Sequence, residues 1–439
     1  MRPLLSVLLV ASCSTPPVVS PPPPVQKKAA VAMPAHGERR PDRPTGPSAV
    51  EVGLTLERAL DLAFSEHPAL VRARAEVDVA AARLEQAGRW TNPDLVAGFE
   101  NAPIEGGTFQ QAEYLLGVGQ SVPLSARHAR ERDVGARERQ LAEEEASAQL
   151  FEVRRAVHGA FATALYAQAV DELVGELARV AEQSLGLARA RLEAGDAVAA
   201  EVAKMRLEHG LAQREARRAE TTWRIASGDL VAAIGAPART IDSVAGDLDL
   251  ALALPALEEL VQRLDENPAI LVAAARADVA AAQVDLAQAL RVPELRFELL
   301  YRRDEATEIN AFDAFVGVPL NLWSSGRAYV KEKRRALTAA RADELAQRNA
   351  LAGHLRRAHL ELERAIEDLQ HLRSEILPRV EELMALSSAR HELGDILLDE
   401  LLQARRELLK KRLEECALQR EALRAFAELT PYLEFDGPG

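Results

Sequence analysis

A chain of 439 residues with 48% hydrophobic content can bury a large core. Aromatic content is only 4%, while Ala, Leu, Glu and Arg dominate, which is the composition of long helices and coiled coils. The net charge of −13 argues against a nucleic-acid partner, and no run of about 18 apolar residues predicts a spanning helix.

The chain opens on Arg2 and the apolar run Leu4 to Val10, followed by Ala11-Ser12-Cys13. Small residues before a cysteine after such a run form the lipobox of bacterial lipoproteins. On that reading residues 1–12 are a lipoprotein signal peptide and Cys13 is acylated. An ordinary secretory signal with an incidental cysteine is the alternative. Several acyl chains, at about 0.8 kcal/mol per buried CH2, anchor a protein durably. Ser14 rather than an aspartate follows Cys13, which points to sorting to the outer membrane. With Cys13 acylated, Cys416 has no intramolecular partner and reads as a small packing residue. Residues 13–50 hold Pro16-Pro17, Pro21 to Pro24, Pro34, Pro41, Pro44 and Pro47, so beyond the lipidated cysteine they read as an extended linker.

The rest of the chain repeats at a spacing of 200 residues: His67-Pro68-Ala69 recurs as Asn267-Pro268-Ala269, and Asp78-Val79-Ala80-Ala81-Ala82 recurs unchanged as Asp278-Val279-Ala280-Ala281-Ala282. Two copies of one large unit follow, at residues 51–250 and 251–435. Each opens on a helical stripe, Leu56 to Phe64 capped by Thr55 and Leu257 to Leu264, ending before Pro68 and Pro268. A second helix follows in each copy. Between Pro123 and Pro237 there is no proline, and Leu150, Val153, Val157, Phe161 and Leu165 recur at helical spacing. Gly195-Asp196 breaks the stretch into a hairpin whose first arm, 127–194, is on the order of 100 Å long at 1.5 Å per residue. The second copy runs from Arg327 to a break at Gly394, with a kink or split expected at Pro378. Leu402, Leu409, Leu413 and Cys416 suggest a coiled-coil-like seam.

Each copy also holds a period-2 segment of two strands of about 9–11 residues. In the first, Leu95, Ala97 and Phe99 alternate, and the chain returns through Tyr114, Leu116, Val118, Gln120 and Val122. In the second, Leu295, Phe297, Leu299 and Tyr301 alternate with Arg296, Glu298, Leu300 and Arg302, and the return runs through Asn310, Phe312, Ala314, Val316 and Val318. Strands of this length cross a bilayer when tilted, but open edges are forbidden there, and four strands cannot close a barrel. A spanning reading therefore requires several chains, and three would supply twelve strands.

This ordered set resembles the TolC-like outer-membrane efflux protein family. The carriers are the duplicated Leu-x-x-Ala-Leu helix with its His-Pro or Asn-Pro end, the helix–hairpin–helix order, and the strand exits Val122-Pro123-Leu124 and Val318-Pro319-Leu320. Ser325-Gly326-Arg327 and Ser125-Ala126-Arg127 after those exits, and the Gly195 and Gly394 tips, complete the match over roughly residues 51–430. Glu113-Tyr114 and the Pro93 to Asn101 strand are similar to the heavy-metal, cobalt–zinc–cadmium branch. The resemblance implies a mainly α fold with a small β part: long coiled helical hairpins forming a periplasmic α-barrel, and two β-hairpins contributing four strands to a trimeric outer-membrane β-barrel. It implies a homotrimer embedded in outer-membrane lipid, working with a periplasmic adaptor (membrane fusion protein) and an inner-membrane pump, and passing metal cations or drugs outward. Arg191, Gly195, Asp196, Arg390, Gly394 and Asp395 would form the adaptor-docking tips. Glu201, Asp399 and Glu400 would form an acidic ring at the periplasmic aperture. Ordinary helix-surface charge is the competing reading of those three acids.

Such a duct needs no catalytic residue, cofactor or resident metal, and no Gly-x-Ser-x-Gly, P-loop or Cys-x-x-Cys is present. His354 and His359 are five residues apart, off a single helical face, and read as solvated. The alternative function is a periplasmic coiled-coil adaptor or structural scaffold lipoprotein. An adaptor, however, flanks its helical hairpin with β-rich halves that this chain lacks.

Overall fold

The computed structural model describes residues 53–101, 112–195, 197–237, 239–248, 256–304, 307–320, 323, 325–393 and 398–433. Cys13, with its linker, Asp196, Gly394 and Asp395 lie outside the described residues.

The first repeat begins with α1 (Leu56–Glu66), where the Arg58 N–H donates to the Thr55 hydroxyl at 3.3 Å. Then come α2 (Pro68–Gln86), β1 (Asp94–Glu100), β2 (Glu113–Pro123), α3 (Arg127–Glu193) and α4 (Ala199–Ile234). The second repeats the order as α5 (Leu257–Gln262), α6 (Pro268–Ala289), β3 (Glu294–Asp304), β4 (Ile309–Gly317), α7 (Arg327–His371), α8 (Leu377–Glu392) and α9 (Leu398–Leu433). The 67 residues of α3 form one unbroken helix about 100 Å long at 1.5 Å rise. Its counterpart is split as expected at Pro378. That residue has no N–H to give to the preceding turn, and the backbone passes through a π-helical stretch, Leu372–Ile376, before α8 begins.

Three expectations need correction. The stripe from Leu257 to Leu264 is not one helix: α5 stops at Gln262, and a 3₁₀ turn at Leu264–Glu266 follows. In it the Asn267 N–H donates to the Leu264 carbonyl at 3.1 Å, tightening the chain so that Asn267 can start the next helix. β1 has seven residues, because Asn101 takes a positive φ of 55° and its side-chain amide donates to Glu113 at 2.6 Å. On α9 the seam from Leu402 to Cys416 is only half-buried. Leu401, Ala404, Gln419 and Ala422 lie deeper, because α9 packs on both α3 and α7 and so buries a broader face.

Two equivalent cores sit midway along the long helices. One joins Ala59, Leu62 and Leu70 to Val153, Val157, Phe161 and Leu165 of α3 and to Leu230 and Ile234 of α4. The other joins Leu260, Leu264 and Ile270 to Leu355 and Leu362 of α7 and to Ala422 and Leu429 of α9. The four strands form one antiparallel sheet in the order β1-β2-β3-β4, so the two hairpins meet through β2 and β3. Beside the sheet, α6 lies between α3 and α7, and α2 packs on α3. Farther from it, α4 packs on α3, and α9 lies against α3, α7 and α8.

Candidate functional site

The strand register sorts the sheet into two unlike faces. Leu95, Val118, Leu299 and Ala314 are cross-strand partners, as are Ala97, Leu116, Tyr301 and Phe312, so every alternating apolar position lies on one face. That face is uncovered: Leu95 and Phe312 are each 75% exposed, and Phe99, Leu116, Val118, Leu299 and Val316 are exposed beside them. The opposite face carries Asp94, Glu113, Glu294, Arg296, Glu298, Arg302 and Asp313. Its two arginines each hold two carboxylates. Arg302 pairs with Glu113 at 2.9 Å and Asp313 at 3.0 Å, and Arg296 pairs with Glu298 at 2.7 Å and, more loosely, Asp94 at 3.8 Å. Glu294 is held by Arg127 at the start of α3, which ties the sheet to the helices. A continuous apolar face of this size is suited to hydrocarbon, and the ion-paired face to water. The eleven residues of β3, at about 3.3 Å each, rise roughly 25 Å when tilted by about 45°, the height of an outer-membrane apolar band. Alternation in the sequence located the apolar face; the pairing of charges opposite it depends on strands almost 200 residues apart.

At the far end of the helices, Arg191 lies on the last turn of α3 and Gly195 follows at φ +84°, with its N–H donating to the Leu192 carbonyl at 3.1 Å. A Cβ there would meet open space, so the left-handed backbone alone is what calls for glycine. Glu201, in the first turn of α4, forms an ion pair with Arg191 at 3.3 Å. The expected docking residue and the expected aperture acid thus neutralise each other, and Glu201 is not a free carboxylate. Both line a cavity of about 230 Å³ shared with Ser388 and His391 of α8 and Leu401 and Arg405 of α9, so the two hairpin ends come together. Arg390 and Glu400 are exposed, and the Asp399 side chain lies outside the described residues. Sequence reasoning missed Arg405, which donates to the Ser184 hydroxyl at 3.4 Å and links α9 to α3, because nothing local marks it. Among the described residues no helix is long and apolar enough to cross a membrane, and no group of His, Cys, Asp and Glu could hold a metal ion.

Comparison with known proteins agrees with this architecture. The model of the outer membrane efflux protein family matches residues 59–236 and 260–433. The cobalt-zinc-cadmium resistance protein CzcC of Cupriavidus metallidurans is 26% identical over 364 residues, spanning 82% of this chain and 85% of its own length. Among solved structures, the outer-membrane channel OprN superposes with a TM-score of 0.72 at 17% identity, over 86% of this chain and 89% of its own. The CmeC outer membrane channel of Campylobacter jejuni superposes with a TM-score of 0.71 at 14% identity, over 86% and 85%. Matched over both of its repeats, the chain belongs to the outer membrane efflux protein family, and it is an outer-membrane efflux channel rather than an enzyme.

Proposed function

We propose that three copies of this chain close into one conduit, with twelve strands forming a sealed barrel in the outer membrane and the helices continuing it into the periplasm. The observation that carries this is the unequal burial of an identical sequence. Val279 of α6, packed between α3 and α7, is 8% exposed, whereas Val79 of α2, in the same five-residue segment, is 48% exposed. Among the described residues, the flank of α2 away from α3 lacks the neighbour that α6 has. The same holds at every level: β1, α2 and α4 form one flank of the chain, and β4, α7 and α8 form the other. Unlike flanks that complete each other make a head-to-tail contact, which generates a ring when the rotation closes.

The hairpin ends around Arg191, Gly195, Asp196, Arg390, Gly394 and Asp395 are the surface for a periplasmic adaptor that joins the conduit to an inner-membrane pump. Glu201, Asp399 and Glu400 are the candidate aperture acids, with Arg191 already balancing the first. The lipobox supports acylation of Cys13 and anchoring by its lipid. Similarity to a cobalt-zinc-cadmium resistance protein favours metal cations as cargo over drugs.

Light scattering on detergent-extracted protein tests the assembly. Three chains per particle, with discrete ion-conducting steps after reconstitution in a planar bilayer, are expected. A monomer that stays soluble without detergent once Cys13 is replaced would overturn the conduit.

A further inference from the structure

We infer that the first two turns of α7 form a docking surface for anionic phospholipid headgroups in the leaflet nearer the helices. This rests on the reading that the sheet spans the bilayer. Residues 327–335 carry five cationic side chains and a single acid, Glu332, in a chain whose net charge is −13. Arg327, Lys331 and Arg334 follow i, i+4, i+7 spacing and so share one stripe of the helix, with Arg335 at its border. All four are exposed, and none has a carboxylate partner among the described residues. The equivalent start of α3 differs: Arg127 is paired with Glu131 and Glu294, and Arg130 with Asp285. The cationic stripe therefore belongs to the second repeat, and among the described residues no carboxylate balances its charge.

Depth is set by two further features. The stripe follows the last residue of β4, Gly317, by ten residues, which places it just beyond the apolar face of the sheet. Trp323 is 94% exposed in that connection, and Tyr329 is half-exposed with the Lys333 ammonium 5.4 Å from its ring centre. Exposed Trp and Tyr rings settle at the membrane–water boundary, where their amphipathic faces meet headgroups. Cations at that depth see phosphate at short range, within the Debye length of about 8 Å.

Trp323 is also the reporter for a test. The full-length channel, with Trp90→Phe and Trp223→Phe so that Trp323 alone emits, is reconstituted in vesicles of neutral phospholipid mixed with brominated anionic or brominated neutral phospholipid, and quenching of Trp323 is compared. Wild type should prefer the anionic lipid about fivefold or more at low ionic strength. The preference should fall to near unity in about 0.5 M salt. The combined variant Arg327→Gln, Lys331→Gln, Arg334→Gln, Arg335→Gln should lose it while keeping quenching by the brominated neutral lipid, which shows that it still inserts. Arg341→Gln lies on the same stripe but about 21 Å further along the helix, beyond the headgroups, and should keep the preference. Equal affinity for both lipids in wild type, or a preference that survives the combined variant or vanishes with Arg341→Gln, would overturn the docking surface. Absence of quenching by either brominated lipid in wild type would instead overturn the membrane-spanning reading beneath it.

Discussion

At the scale of single residues, the His-Pro-Ala and Asn-Pro-Ala signatures mark the end of one helix in the sequence, yet their structural work is to begin the next. The Ala69 N–H donates to His67 Nδ1 at 3.1 Å, and the Ala269 N–H donates to Asn267 Oδ1 at 2.9 Å. Each side chain satisfies a donor that a helix start leaves unpaired, and the proline sits where its missing N–H does no harm. Asn267 is 2% exposed, so water cannot replace the cap readily. Asn267→Ala should lower stability by about 1 kcal/mol, read as a lower midpoint of thermal unfolding in detergent, while Asn267→Ser, which keeps a neutral accepting oxygen, should lose less. An alanine variant as stable as the parent would show that packing of α6 alone defines its start. Cys416 illustrates the other kind of residue reading. Burial, reinforced by the Glu415 carboxylate, pushes its thiol up, in keeping with a neutral packing side chain rather than a reactive one.

Among the elements, the strands were the most legible. Alternation identified which side chains share a face, since successive residues in a strand must point oppositely. The two faces make different demands. Leu299 is half-exposed in the middle of β3, and Leu299→Arg should cost about 2–4 kcal/mol in the bilayer and strip the channel from the membrane fraction. Val96→Arg, on the face that carries Arg302 and Asp313, should leave the membrane-inserted yield near wild type. If the two substitutions deplete the membrane fraction equally, the assignment of faces fails. The long helices were legible for a similar reason, because apolar spacing and proline absence act within a few residues. The boundary at Leu264 was not, because a tightened turn and a regular one bury the same leucine.

For the whole molecule, duplication supplies the geometry of contacts that a single chain does not contain. Arg276 of α6 meets Glu145 of α3 at 2.7 Å. Displaced by the repeat spacing of 200, these positions are Glu76 on α2 and Leu345 on α7, which lie on opposite open flanks. In a Cys416→Ser background, the pair Glu76→Cys and Leu345→Cys should be joined between chains by a short bis-maleimide cross-linker, giving dimer and trimer bands on a denaturing gel. Either cysteine alone should give monomer. Cross-linked bands equally strong from a single cysteine would mean that like flanks meet, which is a two-fold contact and not a ring.

Sequence alone determined the duplication, the helix and strand segments and the apolar face of each hairpin, because each of these is written in spacings of two to four residues or in plain recurrence. Only the tertiary structure decided that β2 pairs with β3, that Arg191 faces Glu201, and that identical valines at 79 and 279 lie in different surroundings. The reason is physical. A side chain's environment is set by the neighbours that distant parts of the chain bring to it, and the same five residues meet helices on both sides in one repeat and an open flank in the other.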